Sequence, residues 1–179
     1  MKRSTERILT THTGSLVRPP ELLEFARARQ QGRPVDQPRF EATLKSAVTT
    51  VVHKQVKTGI DVPNDGEFGK STSWSLYALK RLSGFELREM KGGSPFARGE
   101  DRARFPEFYT ELEGRGEGKD WSNVTVFDAV CTGPITYNGL FELQRDIDNL
   151  KAATQATGVE EAFLPVAAPS SAIPDRRNE

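Results

Sequence analysis

A single long helical repeat followed at once by a short apolar run constrains the fold of this chain more than any other feature. Phe40, Leu44, Val48, Val51, Val52 and Val56 recur at the spacing of one helix face. Asp36 precedes the repeat as a side-chain cap, and Gly59 stands where a helix C-terminal glycine belongs. Ile60-Asp61-Val62 then reads as a buried strand running out into Pro63-Asn64-Asp65-Gly66-Glu67-Phe68-Gly69. A helix delivered into a strand across so short a connection marks an α/β unit.

The flanking sequence repeats the theme. Ile8-Leu9-Thr10-Thr11 reads as a first strand, ending in the polar loop His12-Thr13-Gly14-Ser15. Pro19-Pro20 opens a helix from Glu21 to about Gln31, stopped by Gly32. Residues 71–82 form a further helix through Trp74, Leu76, Tyr77, Leu79 and Leu82. Val124–Val130 is a third strand, ending at Cys131-Thr132-Gly133-Pro134. A helix over Glu142–Thr157 follows, with Leu143, Ile147 and Leu150 on one face, and Ala162–Val166 is the last strand. Between Arg81 and Lys119 the chain carries basic and acidic residues in equal number, too polar for a core. Residues 85–119 are therefore expected to form a surface excursion, a hairpin or lid anchored by Phe85, Leu87, Phe105, Phe108 and Tyr109. Residues 1–179 are read as one domain, because the excursion lacks the apolar residues for a core of its own.

Strands alternating with helices imply a parallel sheet, open or closed. The open dinucleotide-binding form needs G-x-G-x-x-G after its first strand, and Gly14-Ser15-Leu16-Val17-Arg18-Pro19 does not supply it. A closed eight-stranded barrel takes about 250 residues. Three or four strands in 179 residues make roughly the first half of one, a partial (β/α)8 barrel. Composition agrees: only 36% of residues are hydrophobic and the mean hydropathy is −0.56, as expected of a domain lacking part of its packing surface. With 25 basic against 25 acidic side chains there is no basic excess for nucleic acid. No apolar run is long enough for a membrane span, and the N-terminal residues lack the apolar stretch of a signal peptide. The single cysteine, Cys131, makes no internal disulfide, so a cytoplasmic location is expected.

The unusual residues gather at three strand ends: His12-Thr13-Gly14-Ser15, Asn64-Asp65-Gly66-Glu67 and Cys131-Thr132-Gly133-Pro134. In a parallel barrel such ends converge on one rim, where substrate binds. Glu67, beside Asp65 in a glycine-flanked turn, either holds a substrate ammonium group or works as an acid or base. Taken from the residues alone, a turn with solvated carboxylates is the simpler account. His12 and Cys131 could meet as metal ligands, but two histidines and one cysteine, all isolated, lack the spacing of a zinc site. A hydrogen-bonded histidine and a packed cysteine are the simpler account there, and His53 falls mid-helix. Gly114-Arg115-Gly116-Glu117-Gly118 has no preceding strand and no closing Gly-Lys-Ser/Thr, so it reads as a loop and not a phosphate cradle.

At these strand ends the chain resembles a known family. Thr10–Pro19 is similar to the opening of the catalytic barrel of cobalamin-independent methionine synthases and their shorter relatives, including the epoxyalkane:coenzyme M transferase type. Gly59–Lys70 resembles the second motif of that group, Cys131–Tyr137 the third, and Glu160–Pro165 continues the similarity. The resemblance implies a zinc-dependent barrel that alkylates a thiol. Zinc lowers the pKa of the homocysteine thiol, and the thiolate takes a methyl group from 5-methyltetrahydropteroyl-polyglutamate without cobalamin. It also implies that Gly14 and Ser15 contact the bound amino acid and that Glu67 pairs with its ammonium group. The candidate substrate-binding set is His12, Gly14, Ser15, Asp65 and Glu67.

The sequence departs from the family in three respects. No tryptophan follows the third motif as a folate platform, where Tyr137-Asn138-Gly139-Leu140 stands. Asp65 occupies a position where methionine synthases commonly have histidine. Both favour a shorter relative with another thiol or alkyl donor, such as coenzyme M-type transfer. The family's zinc ligands lie in the second half of the barrel, so no metal ligand and no catalytic residue is carried over to this chain. The expectation is a truncated N-terminal half of a thiol methyltransferase, inactive alone and completed by a chain that supplies the second half. The alternatives are a non-catalytic module that binds a small thiol or amino acid, and a structural element pairing its exposed sheet edge with a second copy.

Overall fold

Proline has no backbone donor and a preset φ, so it starts helices readily. Three helices here begin with one in the first turn. Residues 2–70, 74–89, 99–114, 127–168 and 179 are described in this computed structural model of the chain. Their elements run α1 (Pro20–Gln30), α2 (Gln37–Lys57), α3 (Trp74–Leu79), β1 (Phe85–Glu89), α4 (Glu100–Arg104), α5 (Pro106–Gly114), β2 (Phe127–Cys131) and α6 (Leu140–Thr157). They fall into two compact units, Met1–Leu82 with Tyr137–Ala172, and Ser83–Thr136 with Ile173–Glu179. No helix among the described residues is long and apolar enough to cross a membrane.

The first unit is built on α2. Asp36 accepts from the Arg39 backbone at 3.1 Å, which satisfies an otherwise orphaned N–H at the helix start. The apolar face of α2 packs against Leu22 and Phe25 of α1 and Leu150 and Ala153 of α6. Phe25 and Phe40 meet edge to face, 5.5 Å between centroids, and each such ring contributes roughly 2–3 kcal/mol of burial. The buried stripe ends in Gln55, while His53 is exposed. On α6 the expected face of Leu143, Ile147 and Leu150 is rotated. Asp146, Asn149, Leu150 and Ala153 are buried, whereas Leu143 and Ile147 are half-buried. The cause is Asp146, which accepts from Tyr77 Oη at 2.9 Å, Arg81 Nη2 at 3.1 Å and Arg145 Nη2 at 2.8 Å. A carboxylate so provided with donors can lie at the core side of a helix.

The expected first, second and last strands are extended segments joined by single parallel bridges, Thr11 to Val62 and Asn64 to Phe163. Asp61 and Val62 both donate backbone N–H groups to Thr10 O at 3.1 Å. The Asp61 carboxylate takes the Thr10 N–H at 2.8 Å and the Arg7 guanidinium.

The second unit differs from the parallel sheet that the alternation implied. β2, the expected third strand, pairs antiparallel with β1, in the register Phe85 to Cys131 through Glu89 to Phe127. That two-stranded ladder is the sheet among the described residues, so the fold mixes helix and strand in a way compatible with α/β, and its ladder does not form a barrel arc. The antiparallel partner, Phe85–Glu89, comes from the polar stretch itself. Phe105 and Phe108 of this stretch are exposed, and Phe85 and Tyr109 are half-buried. Residues 71–73 of the expected helix, 90–98 and 115–119 of the excursion and 124–126 of the strand lie outside the described residues.

Candidate functional site

The loop after the second extended segment is set by α2. Gln55, buried, donates to Asn64 O at 2.7 Å and accepts from Asn64 N at 3.2 Å. Asn64 is fully buried, its side chain accepting from Gly66 N at 2.8 Å and donating to His12 O. One asparagine thus joins the two loops that the sequence singled out. Leu16 N closes the same junction on Gly66 O at 3.1 Å.

Beyond Gly66 the chain enters an unusual conformation. Glu67 has φ of +59°, in the left-handed region that a non-glycine residue seldom adopts. Its backbone is held on both sides: Asp65 Oδ1 accepts from Glu67 N at 3.0 Å, and Arg18 Nη2 donates to Glu67 O at 2.8 Å and Lys70 O at 2.9 Å. The turn aims the carboxylate at the first loop. Ser15 donates its hydroxyl to Glu67 Oε2, and Lys70 Nζ donates to Glu67 Oε1 at 2.7 Å.

Of the sequence-derived set, the structure brings Ser15 and Glu67 into direct contact. Asp65 supports the turn, and His12 meets the site through its carbonyl on Asn64. Gly14, at φ +101°, bends the first loop with no atom near its missing Cβ. The His12 Nε2 atom is buried without a hydrogen-bond partner. Cys131 belongs to the second unit, its thiol 3.5 Å from Gly133 O. Lys70 and Arg18, both inside the recognised motifs, were not singled out from sequence. The available signal was position: a lysine three residues beyond the glutamate in a tight turn returns to it.

Electrostatics separate the two carboxylates. Burial pushes the Glu67 carboxyl up, but the Lys70 and Ser15 hydrogen bonds and the nearby Lys70 and Arg18 charges outweigh it and hold it below the usual range. Burial dominates at Asp65 and raises its carboxyl, against the Glu67 N–H and the Lys70 charge. Burial and Asp146 together raise the Tyr77 phenol. The result is a fixed anion, one oxygen of which is shared with the exposed Ser15.

Among the described residues no three of His, Cys, Asp and Glu are grouped as a metal ion requires.

The Glu67 carboxylate is thus fixed between two loops, with Ser15 on one oxygen and Lys70 on the other. No family model matches the chain. It is 31% identical over 150 residues to the methionine synthase of Sulfolobus acidocaldarius, a match covering 77% of this chain and 43% of that protein. It is 39% identical over 78 residues to the methionine synthase of Sulfurisphaera tokodaii, covering 44% of this chain and 22% of that protein. These matches establish a methionine synthase-like relationship, in which the chain spans less than half the length of the curated relatives it matches.

Proposed function

We propose that this chain supplies the amino-acid-binding part of a methionine synthase-like thiol methyltransferase. The observation that carries the reading is the Ser15–Glu67 pair, an ionised carboxylate held at the junction of two loops. The ammonium of homocysteine would dock on Glu67 Oε2, with Ser15 rotating its hydroxyl to accept from or donate to the ligand. Gly14 leaves the neighbouring backbone open to the ligand carboxylate. In this reading the barrel is completed by a second half that carries the thiol-activating zinc and meets 5-methyltetrahydropteroyl-polyglutamate. The described residues do not form that zinc site.

Calorimetry with L-homocysteine and with 4-mercaptobutanoate, which lacks only the amine, tests the reading. A charge-assisted hydrogen bond of about 1.5–3 kcal/mol corresponds to a preference of roughly ten- to a hundredfold for homocysteine. Glu67→Gln is expected to abolish that preference while leaving the 4-mercaptobutanoate affinity unchanged. Equal binding of the two ligands by the unmodified chain would overturn the reading. So would tighter binding of 2-mercaptoethanesulfonate, which has no amine and would point to coenzyme M-type transfer.

A further inference from the structure

Lys70 is an unusual residue to find inside this turn. Its side chain is 5% exposed, and that of Glu67 is 13% exposed. The ammonium has three donor hydrogens and two oxygen partners, Glu67 Oε1 at 2.7 Å and Pro165 O. Its Nζ also lies 5.2 Å from the centre of the Tyr77 ring. Lys70 therefore ties the glutamate to the last extended segment, whose Phe163 bridges Asn64. A buried ion pair is poor evidence for stability, because desolvation offsets most of the attraction. It is good evidence for orientation, because a carboxylate held at one oxygen by a packed cation cannot rotate.

From this geometry we infer that Lys70 is a positioning residue for amine recognition: by occupying Glu67 Oε1 it leaves Oε2, the oxygen next to Ser15, as the one offered to a ligand ammonium. The inference rests on the reading of Glu67 as the amine site and adds the residue that decides its orientation. The charged groups facing the Glu67 carboxylate are Lys70 and Arg18, with Asp65 beside it. Arg18 donates to the backbone carbonyls of Glu67 and Lys70, so the charged contact to the carboxylate itself comes from Lys70, with the neutral Ser15 hydroxyl on the other oxygen. Removing the lysine charge frees the carboxylate to turn and to take up a proton at higher pH, which lowers ligand affinity most at the acid end.

The test compares Lys70→Met and Lys70→Arg with the unmodified chain. Homocysteine and 4-mercaptobutanoate are titrated from pH 4 to pH 8, and circular dichroism monitors the fold. Lys70→Met is expected to weaken homocysteine at least tenfold at pH 7 and to move the acid limb of its binding upward. The 4-mercaptobutanoate affinity is expected to stay unchanged, and Lys70→Arg to recover most of the loss. A merely structural lysine would weaken both ligands equally and leave the acid limb in place, and that result would overturn the inference. If Glu67→Gln fails to remove the amine preference, the reading of Glu67 itself falls; if it does remove it while Lys70→Met changes nothing, Lys70 alone falls. Should Lys70→Met not fold, carbon and nitrogen NMR of the unmodified chain decides. The Lys70 side-chain signals are expected to shift in step with the Glu67 carboxyl titration, and their independence would overturn the inference.

Discussion

Gln55 on the core face of α2 and Asn64 in the site loop exchange two hydrogen bonds, from side-chain amide to backbone carbonyl at 2.7 Å and from backbone N–H to side-chain oxygen at 3.2 Å. Gln55 thus does for Asn64 what a neighbouring strand would do, since among the described residues the segment makes only isolated bridges. Gln55→Leu keeps the apolar stem but leaves two buried backbone groups unpaired, each costing about 1–3 kcal/mol. The expected loss is about 2–6 kcal/mol, read as a lowered urea midpoint with an unchanged slope. A loss under about 0.5 kcal/mol would mean that water replaces Gln55 at both groups.

Gly66 carries the next constraint. Its φ is +65°, and a Cβ there would meet Phe68 Cε1 at 3.1 Å and Leu16 Cβ at 3.3 Å. Gly66→Ala is expected to cost about 1–2 kcal/mol from the left-handed backbone alone. Leu16 N bonds to Gly66 O, so any shift also moves the loop bearing Ser15. Homocysteine affinity should fall together with stability. Gly59, at φ +90° with nothing within 4 Å of its missing Cβ, provides the control. Gly59→Ala should lower stability and leave affinity intact. If both variants lose affinity alike, the loop coupling assigned to Gly66 is wrong.

What was legible in the sequence was local. The α2 repeat, its Asp36 cap and the glycine at position 59 depend on neighbours within a few residues, and the structure reproduces them. Strand partners are not local. Nothing in Phe127–Cys131 states that its mate is Phe85–Glu89, because either strand alternates equally well beside another. The rotated face of α6 was hidden for a similar reason, since the Asp146 donors Tyr77 and Arg81 lie some 65 residues or more away. In the candidate site, glycines and carboxylates marked the turn. The Lys70 contact depends on burial, which a charged residue in a polar motif does not announce.

The two carboxylates of the turn carry opposite pH signatures, and the difference isolates Asp65. Glu67, held below its ordinary value, contributes stability that is full above the unfolded value near 4.3 and lost as pH falls through its depressed folded value. Asp65 is raised by burial, so between its unfolded value near 3.9 and its folded value the folded chain binds more protons than the unfolded one. Stability from Asp65 therefore falls as pH rises through that window, and at neutral pH its charge is a net cost. Asp65→Asn keeps an oxygen for the Glu67 N–H and removes the charge. Urea midpoints of the two proteins should diverge from pH 3 to pH 7, the asparagine variant gaining relative to the unmodified chain as pH rises. Glu67 is present in both proteins, so its opposite trend largely cancels from the comparison. A constant difference across the range, or one that grows in favour of aspartate, would mean that Lys70 and the Glu67 N–H compensate the buried charge in full.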